Sequence, residues 1–586
     1  MRQVLWRVAL AAALLCGVGL LPWLSRTDPA LTVLKARSAD RDPAPEVLAD
    51  IRGGLGLGQG PVHLLGQWFG GLARGDAGRS WLTGGEVTPA VLRALGASLL
   101  LMTVALAVAA VTAALVCART LRTGGRSRRS GTGSAVLAAL PEFLTASVLA
   151  TVVGVHLGWL PALGWYGPRW TVLPALALGL PAGAVLGRLL DDLLPGAFAE
   201  PWARAAAARG LPRGRLARHA VRRCLPALLP NLGLFAVGLT GGAVAVEQVF
   251  DIPGLGRTTL RAALAQDLPV LQAGVLALVL LGAAATALCR LAARPLLGPA
   301  LRDGALPTLH RPAGPARSAL PFAHGGLLLA VTALGLPRDP LALDTGERLQ
   351  GPSGAHPFGT DALGRDLLAR VAHGALDTLS LACAVSATTL CLGVLLGLAP
   401  RLSGPLADTV NAVPPVLAAL LVTAVAGSGA ATPALAVTAV AWAPLAAHTA
   451  ALLRQERATP HVAAARALGA GRRYLARRVL LPAVLPSVAR HALLRLPGVA
   501  LALASLGFLG LGAQPPSPEW GLLLAENQPY AERAPWAVLA PAAALALLGA
   551  LAVTAARGVR RPRPAGRTPE RTGEGPAREK QPAGAP

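Results

Sequence analysis

Ala463-Ala464-Ala465-Arg466-Ala467-Leu468-Gly469, followed after nine residues by Val479-Leu480-Leu481-Pro482, is the stretch on which the fold turns. Four alanines in five residues favour a helix of one or two turns, and Gly469 supplies the left-handed residue that closes it. A basic amphipathic stretch follows, and Leu481-Pro482 is expected to restart a helix, since proline is tolerated in a first turn. A second copy stands earlier: Arg204-Ala205-Ala206-Ala207-Ala208-Arg209-Gly210 precedes Leu225-Pro226. Its Gly-to-Pro spacing is three residues longer, which leaves its register open. Short helices lined with small side chains can press into a partner's groove and pass a push to whatever they connect.

What they connect is apolar. Stretches free of Asp, Glu, Lys and Arg run over 94–118, 143–168, 170–187, 224–246, 268–289, 318–337, 378–400, 409–453, 496–518 and 534–556. About 20 apolar residues cross a bilayer core. The 409–453 stretch is too long for one crossing, and Ala426-Gly427-Ser428-Gly429-Ala430-Ala431-Thr432-Pro433 breaks it into two. With the run at 4–24 this makes twelve spans, six on each side of a linker. That first run reads alternatively as a signal peptide, with Arg2 and Arg7 ahead of an apolar core, but no small-residue cleavage site follows cleanly. The expected fold is an all-α polytopic membrane protein in two homologous six-helix halves. The expected layout is 1–93, first span and external segment of half 1; 94–293, its transmembrane domain; 294–317, a cytoplasmic linker; 318–377, first span and external segment of half 2; 378–558, its transmembrane domain; and 559–586, a disordered basic tail.

Composition agrees. The 586 residues are 53% hydrophobic and 14% charged, where a soluble protein carries about a quarter charged. A net charge of +25 would suit nucleic acid, but aromatics are 4% and the charges fall between apolar runs, so no nucleic-acid partner is expected. The six cysteines form no CxxC pair and the ten histidines show no ligand spacing, so neither a disulfide framework nor a metal site is expected. Arginines crowd 119–133, 188–223, the linker, 454–478 and the tail, all on one side of a twelve-span layout. The positive-inside rule makes that side cytoplasmic, with both termini inside a cell-membrane protein. The basic 25–93 segment is an exception, but long translocated loops report weakly.

The repeated loop resembles the coupling loop of binding-protein-dependent importer permeases, of the form E-A-A-x3-G-x9-I-x-L-P, with Ala463 in place of Glu and Val479 in place of Ile; Arg204 stands at the Glu position of the first copy. Other segments resemble the dipeptide/oligopeptide/nickel branch. In half 1 these are Gly75-Asp76-Ala77-Gly78-Arg79-Ser80, Glu247-Gln248-Val249-Phe250-Asp251-Ile252-Pro253-Gly254-Leu255-Gly256 and Asp267-Leu268-Pro269. In half 2 they are His356-Pro357-Phe358-Gly359-Thr360-Asp361-Ala362-Leu363-Gly364-Arg365-Asp366 and Ser505-Leu506-Gly507-Phe508-Leu509-Gly510-Leu511-Gly512, with Pro515-Pro516 and Trp520-Gly521 beyond. The resemblance implies two permease subunits fused in one chain with the type I importer transmembrane fold. It implies Ala205, Ala206, Gly210, Ala464, Ala465, Gly469, Leu481 and Pro482 as ATPase-coupling residues, and external-loop motifs at Gly75, Asp76, Glu247, Pro253, Gly254, Gly359, Thr360, Asp361, Gly364, Arg365 and Asp366.

For the external motifs the plain reading is structural: glycine turns, and Asp361 paired with Arg365. The glycines at 507–512 fit close helix packing or an unwound segment equally well. No G-x4-G-K-[ST] loop surrounds either lysine, Lys35 or Lys580, so ATP is expected on partner subunits, two ATPases or one fused one, and no cofactor in this chain. An external solute-binding protein and the lipid membrane complete the expected partners. The function implied is a permease, not an enzyme, importing a solute. A di- or oligopeptide is the expected cargo, with nickel or another small solute as the alternative. A secondary transporter would place ionisable residues within its spans. Here Arg490 and Arg495 are the awkward cases, at a cytoplasmic edge or facing a cavity.

Overall fold

The computed structural model describes residues 12–13, 15–25, 28–37, 44–125, 132–297, 319–399, 403–404, 406–407, 410 and 414–558. The tail 559–586, nearly all of the linker and much of the run at 4–24 lie outside these. Half 1 contains α1 (Val87–Thr123), α2 (Glu142–Leu149), α3 (Pro168–Ala199), α4 (Pro201–Ala208), α5 (Arg213–Val249), α6 (Leu255–Leu264) and α7 (Leu268–Leu297). Half 2 contains α8 (Leu320–Gly335), α9 (Leu367–Gly397), α10 (Pro415–Ala426), α11 (Ala431–Arg457), α12 (Pro460–Ala467), α13 (Leu481–Phe508), α14 (Trp520–Asn527) and α15 (Pro535–Gly558). Short helices at Leu21–Leu24, Pro29–Arg37, Pro45–Gly54 and Pro61–Ala73 precede α1.

Seven of the described helices are long and apolar enough to cross a membrane, and Glu142–His156, Leu320–Gly335 and Pro415–Ala426 are shorter apolar helices. Helix α5, with 37 residues, is a further long helix among the described residues, whereas the first expected passage, at 4–24, falls largely outside them. The split of 409–453 falls between Ala426 and Ala431.

Three expectations need correction. The span placed at 496–518 runs instead over Leu475–Phe508. The rule of charge-free stretches discarded its basic end, although Arg477, Arg478, Arg490 and Arg495 all lie within the helical run. Second, Leu481-Pro482 restarts nothing. The helix already begins at Arg472 and passes through a π segment, Leu475–Leu480, before Pro482. A shifted hydrogen-bond ladder frees a position where the missing proline N–H is harmless. Third, half 1 carries no three-residue insertion. Helix α5 starts at Arg213, three residues after Gly210, as the half-2 helix starts at Arg472, three after Gly469. Leu225-Pro226 lies inside α5 and is not the counterpart of Leu481-Pro482.

Glycines set the tightest helix contacts, and the two halves place them on opposite partners. In half 1, Gly179, Gly183 and Gly187 of α3 press on Ala105, Ala109 and Ala113 of α1. In half 2, Gly393 and Gly397 of α9 press on Leu445 and Thr449 of α11. A Cβ at any of these would overlap its neighbour, because small residues let backbones approach where lipid offers no hydrophobic drive.

Reciprocal contacts join the halves. The His156 ring nitrogen lies 3.0 Å from the Ala531 carbonyl, and the Gln266 amide donates to the Thr423 carbonyl at 3.1 Å. In each case the end of one half's third passage meets the loop after the other half's short helix α14 or α6. Phe143 and Phe508 meet across the seam with ring centroids 5.5 Å apart.

Candidate functional site

The two short helices are the first site. Each has eight residues and a proline at its start. Every position of α4 has its counterpart 259 residues later, from Pro201/Pro460 through Ala205/Ala464 and Ala206/Ala465 to Gly210/Gly469. The turns close identically. Gly210 and Gly469 take φ of 76° and 85°, and Leu211 N–H donates to the Ala206 carbonyl as Ala470 N–H does to Ala465. This six-to-one bond satisfies a carbonyl the helix would leave orphaned, and the left-handed residue it needs is why glycine stands there.

One face of each helix is anchored and the other is free. Ala203 and its counterpart Val462 are buried, Ala206 is buried and Ala465 half-buried. Ala205 and Ala464 are exposed. Helix α4 packs on α3 and α5, and α12 packs on α11 and the π segment. Glu200 ties the start of α4 to α5, accepting from Trp202 Nε1 at 2.6 Å and Arg223 Nε at 3.1 Å. Leu481 is half-buried and Pro482 exposed. The sequence reading missed Leu468, 89% exposed at the end of α12, where half 1 has Arg209. A large apolar side chain so bare beside a solvent-facing turn is the signal that was available.

The second site lies on the opposite side. The order here comes from glycine turns and buried charge. Gly75 takes φ 75°, and Asp76 Oδ1 accepts from Gly78 N–H at 2.8 Å. Asp267 accepts from Ser80 Oγ at 2.5 Å and Trp81 N–H at 3.1 Å, fastening the 79–86 turn to the start of α7. In half 2, Gly359 and Gly364 take φ of 78° and 77°. Thr360 Oγ1 donates to the Glu347 carbonyl at 2.5 Å. Asp366 caps α9 through Leu368 N–H at 2.8 Å. Asp361 does pair with Arg365, at 2.7 Å, and also with Arg370, at 2.9 Å. Arg370, fully buried, reaches Glu526 at 2.9 Å as well. No local pattern singled out Arg370 or Glu526, since their pairing joins α9 to α14.

The two halves build one further device from different residues. Helices α6 and α14 each begin beside a carboxylate and a hydroxyl. In half 1, Leu255 N–H donates to Ser98 Oγ at 2.8 Å, Ser98 Oγ donates to Glu247 Oε1 at 2.5 Å, and Arg257 N–H donates to Glu247 Oε2 at 2.9 Å. In half 2, Trp520 N–H donates to Thr378 Oγ1 at 3.4 Å, while Gly521 and Leu522 N–H donate to Glu519 at 3.0 and 2.9 Å. Ser98 and Thr378 hold the same place on α1 and α9. The carboxylates do not. Glu247 comes from the end of α5 and faces Gly254, whereas Glu519 precedes α14 and faces Gly507 near the end of α13; a Cβ on either glycine would collide with the carboxylate. Carboxylate and glycine have changed places while the charge stays where the helix N–H groups converge. Pro253 and Gly254 belong to the turn between α5 and α6. Burial pushes the Glu519 carboxyl up to about 7, against the opposing pull of Gly521 and Leu522 N–H.

Gly507 therefore serves close packing, while Gly510, at φ 75°, and Gly512 lie in the unwound segment before α14. The two readings of that run apply to different glycines. A cavity of about 520 Å³ is lined by Asp377, Thr378, Leu503, Gly507 and Glu519 among others. Arg495 borders a smaller one with Ser386 and Thr389. It therefore lies between α9, α11 and α13, facing a cavity and not an edge.

A repeated bundle with paired short helices on one side and ordered loops on the other defines a two-lobed polytopic membrane transporter. The chain belongs to the family of binding-protein-dependent transport system inner membrane components, whose model matches residues 90–300 and 390–561. A putative peptide transport system permease protein of Brucella abortus (strain 2308) is 32% identical over 290 residues, 47% of this chain and 90% of its own length. The di/tripeptide transport system permease protein DppC of Pseudomonas aeruginosa (strain UCBPP-PA14) is 37% identical over 190 residues, 31% of this chain and 63% of its own. The glutathione transport system permease protein GsiC of Escherichia coli (strain K12) is 29% identical over 234 residues, 39% of this chain and 76% of its own. Relatives that match about half of this chain, with two family matches along it, make it a fusion of two permease units.

Proposed function

We propose that this chain imports peptides across the cytoplasmic membrane, with an ATPase subunit seated on each of α4 and α12 and a solute-binding protein delivering cargo on the opposite side. Both termini then lie in the cytoplasm, a placement that the arginine-rich loops support. The observation that carries the reading is the pair of eight-residue helices with superposable caps, one buried face each and one free alanine face each. A two-fold ATPase dimer needs two such equivalent docking points. Because α4 and α12 are clamped between the fourth and fifth passages of their halves, closure of the ATPases tilts the halves against each other and opens the seam at Phe143–Phe508. Peptide is the cargo that the relatives' names favour.

The test is to charge the free face. Ala205→Glu with Ala464→Glu, both at exposed positions, should abolish uptake in vesicles and strip the ATPases from the purified complex. Unchanged ATPase co-purification would sink the docking role. Uptake of nickel but not of peptide by the wild type would replace the cargo and leave the docking intact.

A further inference from the structure

The third passage of each half is broken. In half 1 a short helix, Thr132–Leu137, stops, and α2 starts afresh after Pro141. In half 2, α10 likewise starts after Pro414. The half-1 break lies at mid-depth, because a Cβ at Gly549, midway along α15, would come 2.7 Å from the Ala139 carbonyl. Irregular backbone at such depth survives only where protein buries it or a polar cavity runs beside it.

The residue after the break differs between the halves: Glu142 in half 1, Pro415 in half 2. Glu142 is half-buried. Among the described residues no cation pairs with it, and its own backbone N–H is the only group bonded to the carboxylate. It sits at the seam. The next residue, Phe143, meets Phe508 of the other half. A Cβ at Gly242 of α5 would lie 3.0 Å from the Glu142 carboxyl carbon, and one at Gly241 would lie 3.1 Å from Pro414 of the other half. The glycine face of α5 thus leaves room for the carboxylate at the junction of α2, α5 and α10.

A negative charge in the first turn of a helix is favourable, and that is the plain structural account of Glu142. It does not explain why half 2 builds the same break with proline. An unpaired carboxylate in an apolar bundle is costly and marks a pathway unless a partner neutralises it.

We propose that Glu142 receives the cationic group of the solute, the terminal ammonium of a peptide, as it passes between the halves. This rests on the peptide-import reading above. The apolar Phe143–Phe508 pair beside it blocks the seam, so the ammonium meets the carboxylate where the pathway is narrowest. Pairing there offsets the cost of taking a charged amine into the bundle.

The experiment uses the full chain with its ATPases and binding protein in proteoliposomes. Uptake of tri-alanine is compared with uptake of N-acetyl-tri-alanine, in wild type, Glu142→Gln and Glu142→Asp. The binding protein's own preference is common to all three and cancels when ratios are compared. Glu142→Gln should lower the free-amine to acetylated ratio about tenfold, the worth of one charge-assisted hydrogen bond. Glu142→Asp, which keeps the charge, should hold the wild-type ratio within about twofold. An unchanged ratio in Glu142→Gln, or an equal fall for both probes, would overturn the proposal and leave peptide import standing. Absence of wild-type uptake of both probes would remove the peptide reading and this inference together.

Discussion

Replacing Glu519 by Gln tests the carboxylate cradle most directly. Folded, this carboxyl titrates at about 7; unfolded, it titrates at its ordinary 4.5. Removal from water outweighs the two N–H donors, so the folded state holds the proton more tightly. Its stabilising contribution is therefore full below about pH 4.5 and lost as pH rises through about 7. Roughly 2.5 pH units at about 1.4 kcal/mol each come to about 3.5 kcal/mol, some three-hundredfold in a local opening equilibrium. Glutamine keeps one acceptor oxygen and cannot titrate. Hydrogen exchange of the 517–527 segment, corrected for intrinsic rates, should show protection in the wild type falling between pH 5 and 7.5. In Glu519→Gln that slope should vanish. Protection that rises with pH in the wild type would mean the charged cap outweighs burial, and an equal slope in Glu519→Gln would place the titrating group elsewhere. Either result refutes the reasoning.

Two other outcomes follow from the geometry. Arg370→Met leaves Asp361 and Glu526 sharing Arg365 alone and should cost about 1.5–3 kcal/mol, the worth of a hydrogen bond to a charged group, read as lowered thermal stability of the purified protein. Adding Asp361→Asn should recover part of that loss, and no recovery would dissolve the claimed pairing. Leu468→Asp removes an exposed apolar contact worth about 2 kcal/mol if buried by an ATPase, so affinity for the ATPase should fall at least tenfold in a titration on nanodiscs. Unaltered affinity would show that Leu468 stays in water when the partner docks.

The approximate place of the long described apolar helices was legible in the sequence, because an apolar run is a local property that the bilayer alone selects. So was the paired short helix: the Gly210 and Gly469 turns depend on backbone freedom within a few residues, and the Asp361–Arg365 pair spans a single turn. Where boundaries failed, as at 496–518, the charge-free rule took Arg490 and Arg495 for the limit of a passage, although Arg495 lies within the helix, beside Ser386 and Thr389 of α9.

Tertiary structure decided what depends on two distant segments meeting. Nothing near Glu247 or Glu519 indicates that each fills the same cradle from opposite sides, because the exchange with Gly254 and Gly507 becomes visible only when α5 packs on α6 and α13 on α14. The same holds for Arg370 with Glu526, and for Glu142 at the seam. Charge at such positions is set by which helix ends converge, and convergence is a product of packing that no local pattern encodes.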